Sequence, residues 1–278
     1  MDKASKMEGK GNMKENVMFI HGLWMTPLSW EYFTKRFQEL GYNVMTPAWP
    51  GHEGNVEEVR KNAPSALADL GLAEIIEHYK EIIQKMDEPP ILIGHSFGGL
   101  IVQVLLDQGF GKAGIAIDPA PPKGIHTITY SELKSAFPVL SRPSNRHKAV
   151  GLTFDQFKYS FANTMSEEDA RYAYDRYAIP DTGRVLFEDI TDDFNSNAPD
   201  VVNYNNNNRG PLLLIAGSKD HTVPERVVKS NYGKYKDSNA VTDFKEFPGR
   251  SHLIIAQEGW QEVADSASDW LKQNVASK

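Results

Sequence analysis

The chain of 278 residues contains no cysteine. That absence excludes a disulfide scaffold, a thiolate zinc site, an iron–sulfur cluster and a cysteine nucleophile. An excess of positive charge is missing too: 30 Lys and Arg stand against 37 Asp and Glu, a formal net charge of −7, and the cations are scattered. Nucleic-acid binding rests on clustered cations that release counterions from phosphates, so no nucleic-acid partner is expected. No stretch reaches the roughly 18 consecutive apolar residues that a membrane span requires. The opening residues 1–15 are charged and lack the apolar core of a secretory leader, so they read as a flexible tail. The expectation is a soluble, cytoplasmic protein. Neither H-E-x-x-H nor a glycine-rich phosphate loop between strand and helix occurs, so no metal or organic cofactor is expected.

What is present suits one large α/β domain: 40% hydrophobic and 24% charged residues, over a length that can bury a sizeable core. Short apolar runs at Asn16 to Ile20, Tyr42 to Thr46, Ile91 to Ile93, Gly114 to Ile117, Pro211 to Ala216 and Val241 to Phe247 read as strands. Helical patterns lie between them. Pro27 to about Leu40 is one, with Thr26 as cap. Ser65 to Met86, Leu100 to Gly109, Pro224 to Tyr235 and Gly259 to Asn274 are the others. Alternating strands and helices imply a parallel sheet with ligands at the carboxyl ends of its strands. The alternation stops near Pro121 and resumes near Gly210. The stretch between has helical segments at Thr153 to Asn163 and Ser166 to Tyr177 and ends in an asparagine run, Asn205 to Asn208.

Gly94-His95-Ser96-Phe97-Gly98 fits G-x-S-x-G and joins an apolar strand directly to an apolar helix. A nucleophile on such a sharp turn needs small residues two before and two after, so that strand and helix can approach. The helix N-terminus beside Ser96 favours negative charge developing there. A serine hydroxyl also needs a base, and the base needs a third group that fixes its tautomer. Of the eight histidines, His252 alone lies in a loop after the last strand and just before the terminal helix. Asp220 follows the Pro211 to Ala216 strand and precedes His252 in the chain. Asp118, after the preceding strand, is the rival carboxylate.

The order Ser96, Asp220, His252, with His21-Gly22 after the first strand, resembles the α/β-hydrolase superfamily. The resemblance spans Asn16 to Asn274. It implies an α/β-hydrolase fold, with a mostly parallel central sheet flanked by helices built from residues 16–121 and 210–278. Residues 122–209 stand where members carry a helical cap or lid. It further implies that the backbone N–H groups of Leu23 and Phe97 form an oxyanion hole, with Trp24 as the alternative to Leu23. The chain begins almost at the first central strand, so the early antiparallel strands of larger members are expected to be missing.

The reaction implied is hydrolysis of a small-molecule carboxylic ester through an acyl-enzyme. The same three residues also suit carbon–carbon bond hydrolysis, lactone opening, perhydrolysis or cyanohydrin cleavage, and some members are non-catalytic receptors. Leu23, Trp24 and Met25 suggest an apolar pocket beside the serine. Phe137, Phe154, Phe157, Tyr159, Phe161, Tyr172, Tyr174 and Tyr177 either pack the inserted stretch or line the ligand site. An aromatic cap would favour uncharged, hydrophobic esters.

Overall fold

The computed structural model describes residues 15–125, 127, 129–191 and 198–275. The expected tail, apart from Glu15, and His126 lie outside them. Six strands form one sheet: β1 (Asn16–Ile20), β2 (Asn43–Met45), β3 (Ile91–His95), β4 (Ala113–Ile117) and, after the strand pair described below, β7 (Leu212–Gly217) and β8 (Thr242–Phe247). Their order is β2-β1-β3-β4-β7-β8 and every neighbouring pair is parallel. The inner strands β3, β4 and β7 are buried along their whole length, and the edge strand β8 alternates between exposed and half-buried. That is why the inner strands read as continuous apolar runs.

Successive side chains of a strand point to opposite faces, and the core divides accordingly. Val17, Phe19, Ile93 and Ile115 pack with α1 (Glu31–Glu39) and α10 (Trp260–Asn274) on one face. Met18, Ile20, Leu92 and Ala116 pack on the other with α3 (Leu72–Ile83), α4 (Phe97–Asp107) and α9 (Glu225–Lys234). The helix α2 (Val56–Lys61) lies in what the sequence suggested was loop; Asn55 caps it through the Glu58 N–H.

Two helices differ from the expected spans. Pro27–Trp30 is a tight 3-10 turn, capped by the Thr26 hydroxyl, and α1 starts only at Glu31. The long helix expected from Ser65 begins at Leu72, because Gly71 is extended and ends a separate 3-10 turn at Ser65–Asp69. Between β4 and β7 the chain leaves the sheet. It forms α5 (Tyr130–Leu140), α6 (Phe154–Ser160), α7 (Glu167–Tyr177) and α8 (Gly183–Thr191), with a small antiparallel pair of β5 (Ala149–Val150) and β6 (Asp181–Thr182).

Candidate active site

The turn from β3 into α4 is built by exclusion of side chains. A Cβ on Gly94 would sit 2.0 Å from the Gly98 carbonyl oxygen, and one on Gly98 would sit 2.1 Å from the Ile20 carbonyl oxygen. Only glycine fits either place. Ser96 between them has φ 57 and ψ −125, a left-sided conformation that costs a serine roughly 1–3 kcal/mol. The sheet holds it there. Ser96 N–H donates to the Ile117 carbonyl at 3.0 Å, and the Ser96 carbonyl accepts from Gly99 N, Leu100 N and Ala120 N.

His252 and Asp220, 32 residues apart, meet behind this turn. His252 Nδ1 donates to Asp220 Oδ2 at 2.6 Å, and both side chains are fully buried. That bond places the imidazole proton on Nδ1, which leaves Nε2 as a bare lone pair with no hydrogen-bond partner among the described residues. Burial pushes the His252 pKa down to about 3, so the ring is neutral. His95 Nε2 donates to the His252 carbonyl at 2.7 Å and the two rings lie 4.6 Å apart, which brings His252 against the residue preceding Ser96. Phe161, from the stretch between β4 and β7, closes the other side of the imidazole at 4.9 Å.

Asp118 is the second carboxyl of this network. It accepts from Gly217 N at 2.6 Å, faces Asp220, and occupies a positive φ of 42. Burial, and then the charge of Asp220, raises its pKa well above the carboxylate range. Burial raises Asp220 as well, against the amides of Val223 and Thr222. Of the two, Asp118 holds the proton, because Asp220 accepts three hydrogen bonds, from Thr222 N, Val223 N and His252, and Asp118 accepts one. Asp220 therefore orients His252, and Asp118 stands behind Asp220. His95, Asp118 and His252 offer ligand atoms within 4.8 Å of one another.

The loop after β1 faces the serine. A Cβ on Gly22 would lie 2.7 Å from Ser96 Cβ, so the loop touches the Ser96 turn. The N–H groups of Leu23 and Phe97 make no hydrogen bond within the protein among the described residues. Trp24 is different: its N–H donates to Asp181 Oδ2 at 2.7 Å, which removes it as the alternative donor.

A cavity of about 220 Å³ opens beside Ser96. Leu23, Trp24, Phe97, Ile125 and Val223 give it apolar walls, and α5 and α8 supply Leu133, Leu140, Leu186 and Ile190. One expectation is corrected here. Met25 is fully buried in the core and does not line the cavity. The aromatic residues of the inserted stretch do not line it either: Phe157, Phe161 and Tyr177 are buried in packing, whereas Phe137 and Tyr172 face solvent. The lining also carries charged residues that the sequence did not reveal, Lys123, Glu132, Asp189 and Asp200. Burial, against the bond from the Thr129 N–H and assisted by the Asp220 charge, raises Glu132 to about 7. The signal for this helix was in the sequence: Thr129 and Glu132 form a capping box.

The family model described as the alpha/beta hydrolase family matches residues 17–266. A Mycoplasma pneumoniae protein that bears an esterase/lipase name is 24% identical over 232 residues, covering 81% of this chain and 78% of its own. Among solved structures, a Paleococcus ferrophilus monoacylglycerol lipase is similar at TM-score 0.63 and 20% identity, covering 93% of this chain and 94% of that one. An extracellular alpha/beta-hydrolase from a Paenibacillus species is similar at TM-score 0.67 and 20% identity, over 94% and 100%. Tomato methylketone synthase I with 2-tridecanone is similar at TM-score 0.68 and 16% identity, over 94% and 99%. No helix among the described residues is long and apolar enough to cross a membrane. With a six-stranded parallel sheet, a serine on a glycine-flanked turn and a family match over most of its length, the chain belongs to the alpha/beta hydrolase family.

Proposed function

We propose that this protein is a serine hydrolase that cleaves small to medium, largely apolar carboxylic esters. The observation that carries the reading is the tautomer of His252: Nδ1–H is committed to Asp220, so the lone pair of Nε2 is the free one, in a ring packed against the Ser96 turn. Ser96 Oγ attacks the ester carbonyl and its proton passes to Nε2. The C–O bond to the alcohol then breaks, and the same proton leaves on the alcohol oxygen. Water repeats the sequence to release the acid and restore the serine. The ionised Asp220 stabilises the imidazolium formed between these steps. The free amides of Leu23 and Phe97 receive the oxyanion, and the N-terminus of α4 adds favourable field at the same place. Hydrogen bonds of this kind tighten as substrate binds, so an unpartnered Nε2 suits the resting state.

The cavity supports the substrate class. Its walls next to Ser96 include apolar residues, and the lining that α5 and α8 contribute supports reading the segment 122–209 as a cap. The carboxyl groups of the lining, on Glu132, Asp189 and Asp200, disfavour anionic alcohols or acids. The test is turnover of nitrophenyl esters of graded acyl length by the wild type and by Ser96→Ala. The expected result is hydrolysis of short and medium esters, lost by about 10⁴-fold or more in the variant with its melting temperature retained. Equal turnover in both proteins would remove Ser96 from the reaction, and turnover of lactones or β-diketones instead of esters would replace the reaction assigned.

A further inference from the structure

The strained residue of the loop after β1 is gripped from the segment between β4 and β7. Trp24 is at φ 64, and all three of its backbone and ring handles are tied there: its N–H to Asp181 Oδ2 at 2.7 Å, its indole N–H to the Val150 carbonyl at 2.9 Å, its carbonyl to Ile179 N at 3.0 Å. Asp181 is fully buried. Its other oxygen accepts from Thr182 N, and the Thr182 hydroxyl donates to the Leu70 carbonyl, which fixes the two-residue strand β6 to the body of the protein.

The second partner of Asp181 is His52, whose Nε2 lies 3.0 Å from the Oδ2 that also receives Trp24. Between a protonated ring and the carboxylate, that contact is an ion pair. Both nitrogens of His52 face acceptors, Nδ1 toward the Pro50 carbonyl at 3.4 Å and Nε2 toward the carboxylate, which fits the doubly protonated ring. His21, 5.2 Å from His52, is its counterpart: Nδ1 donates to the Gly22 carbonyl and Nε2 accepts from Trp49 N, so His21 is neutral. The loop is thus pinned at Gly22 by His21 and at Trp24 by Asp181. Leu23, with its free amide, lies between the two pins.

We infer that Asp181, held in its buried position by His52, is a positioning residue for the Leu23 amide, so that the oxyanion site is completed only when the inserted segment is docked. This rests on the function proposed above. A carboxylate that accepts the Trp24 N–H serves two ends: it offsets the strain at Trp24, and it prevents that N–H from turning into the site as a misplaced donor.

Two measurements on Asp181→Ala test it: ester kinetics, and amide hydrogen exchange of the peptide spanning 21–28. The expected result is faster exchange in that peptide and a kcat reduced roughly 10- to 100-fold, somewhat below the loss of a whole oxyanion donor, with KM changed by less than about threefold. Should Asp181→Ala not fold, Asp181→Asn decides the matter. It leaves one acceptor oxygen for the Trp24 N–H, the Thr182 N–H and the His52 ring and sets its NH2 against the remaining donors, so a lowered kcat at unchanged KM is expected there also. Wild-type exchange in the loop, or wild-type kcat in either folded variant, overturns the inference. If the wild type hydrolyses no ester, the proposed function fails, and the exchange result alone accepts or rejects the clamp.

Discussion

Two turns in this protein hold a non-glycine residue at positive φ beside the cavity, and they are supported in opposite ways. Ser96 is held by the sheet: its N–H is bonded to β4, and glycines at 94 and 98 let strand and helix close around it. Trp24 is held by the segment between β4 and β7, through Asp181, Val150 and Ile179. Ser96 therefore belongs to the sheet and its following helix, and the loop that faces it depends on an element outside the sheet. Strain at a site persists only where the surroundings over-determine it, and here two different parts of the chain do so.

If the sheet side carries the chemistry, the largest effect should come from its relay. Asp220→Asn is expected to lower kcat by about 10⁴-fold, because the amide reverses the tautomer that keeps Nε2 bare. Asp118→Asn should cost far less, since Asp118 holds its proton behind Asp220 and does not touch His252 Nδ1. Steady-state kinetics on both variants check this, and a larger loss at Asp118 would exchange their roles.

Next in size is the close approach of strand and helix. Gly98→Ala would place a methyl 2.1 Å from the Ile20 carbonyl oxygen, a backbone atom that cannot swing aside. Destabilisation of roughly 3 kcal/mol is expected by denaturant titration, at the upper end for overpacking. A variant of unchanged stability would mean that the turn is looser than drawn.

Acidity should separate the two sides. Burial lowers His95, and lowers His252 to about 3, whereas unfolded histidines titrate near 6.5. As pH falls below about 6.5, the unfolded chain binds protons that these folded rings refuse, so the melting temperature should fall. His52 has the opposite sign. Burial opposes its charge, but Asp181, the Pro50 carbonyl and Glu53 raise it above the ordinary value. Its stabilisation is complete below about pH 6.5 and fades as pH rises through the folded value. Melting curves of His52→Gln and wild type should therefore converge at alkaline pH, and a constant difference would contradict the ion pair. The smallest effect is expected at the outer anchor of the inserted segment. There Arg176 and the Tyr177 hydroxyl bond to Glu31, in a partly exposed pair. Arg176→Ala should cost about 1 kcal/mol by thermal melting and leave kcat unchanged.

The sheet side was legible from the sequence because its signals are local. Strand β3 runs straight into G-x-S-x-G, and Asp220 and His252 each follow a strand and a turn. The other side was not. Asp181 sits in a two-residue strand, 157 residues from the amide it receives, and nothing in Asp181-Thr182-Gly183 marks it. The helices α5 and α8 that close the cavity were missed for a related reason. Pro138 within α5 and Gly183 at the start of α8 are residues that a sequence reading takes as helix breakers. Trp24 and Met25 are neighbours of one chemical type, yet Trp24 lines the cavity and Met25 does not.

A fluorophosphonate probe tests the role of Ser96 most directly, since it forms an oxygen–phosphorus bond with an activated serine and releases fluoride. Peptide mass mapping of the labelled wild type should find one adduct, on Ser96, and almost none in His252→Ala. An unlabelled protein, or an adduct on another serine, would contradict the account.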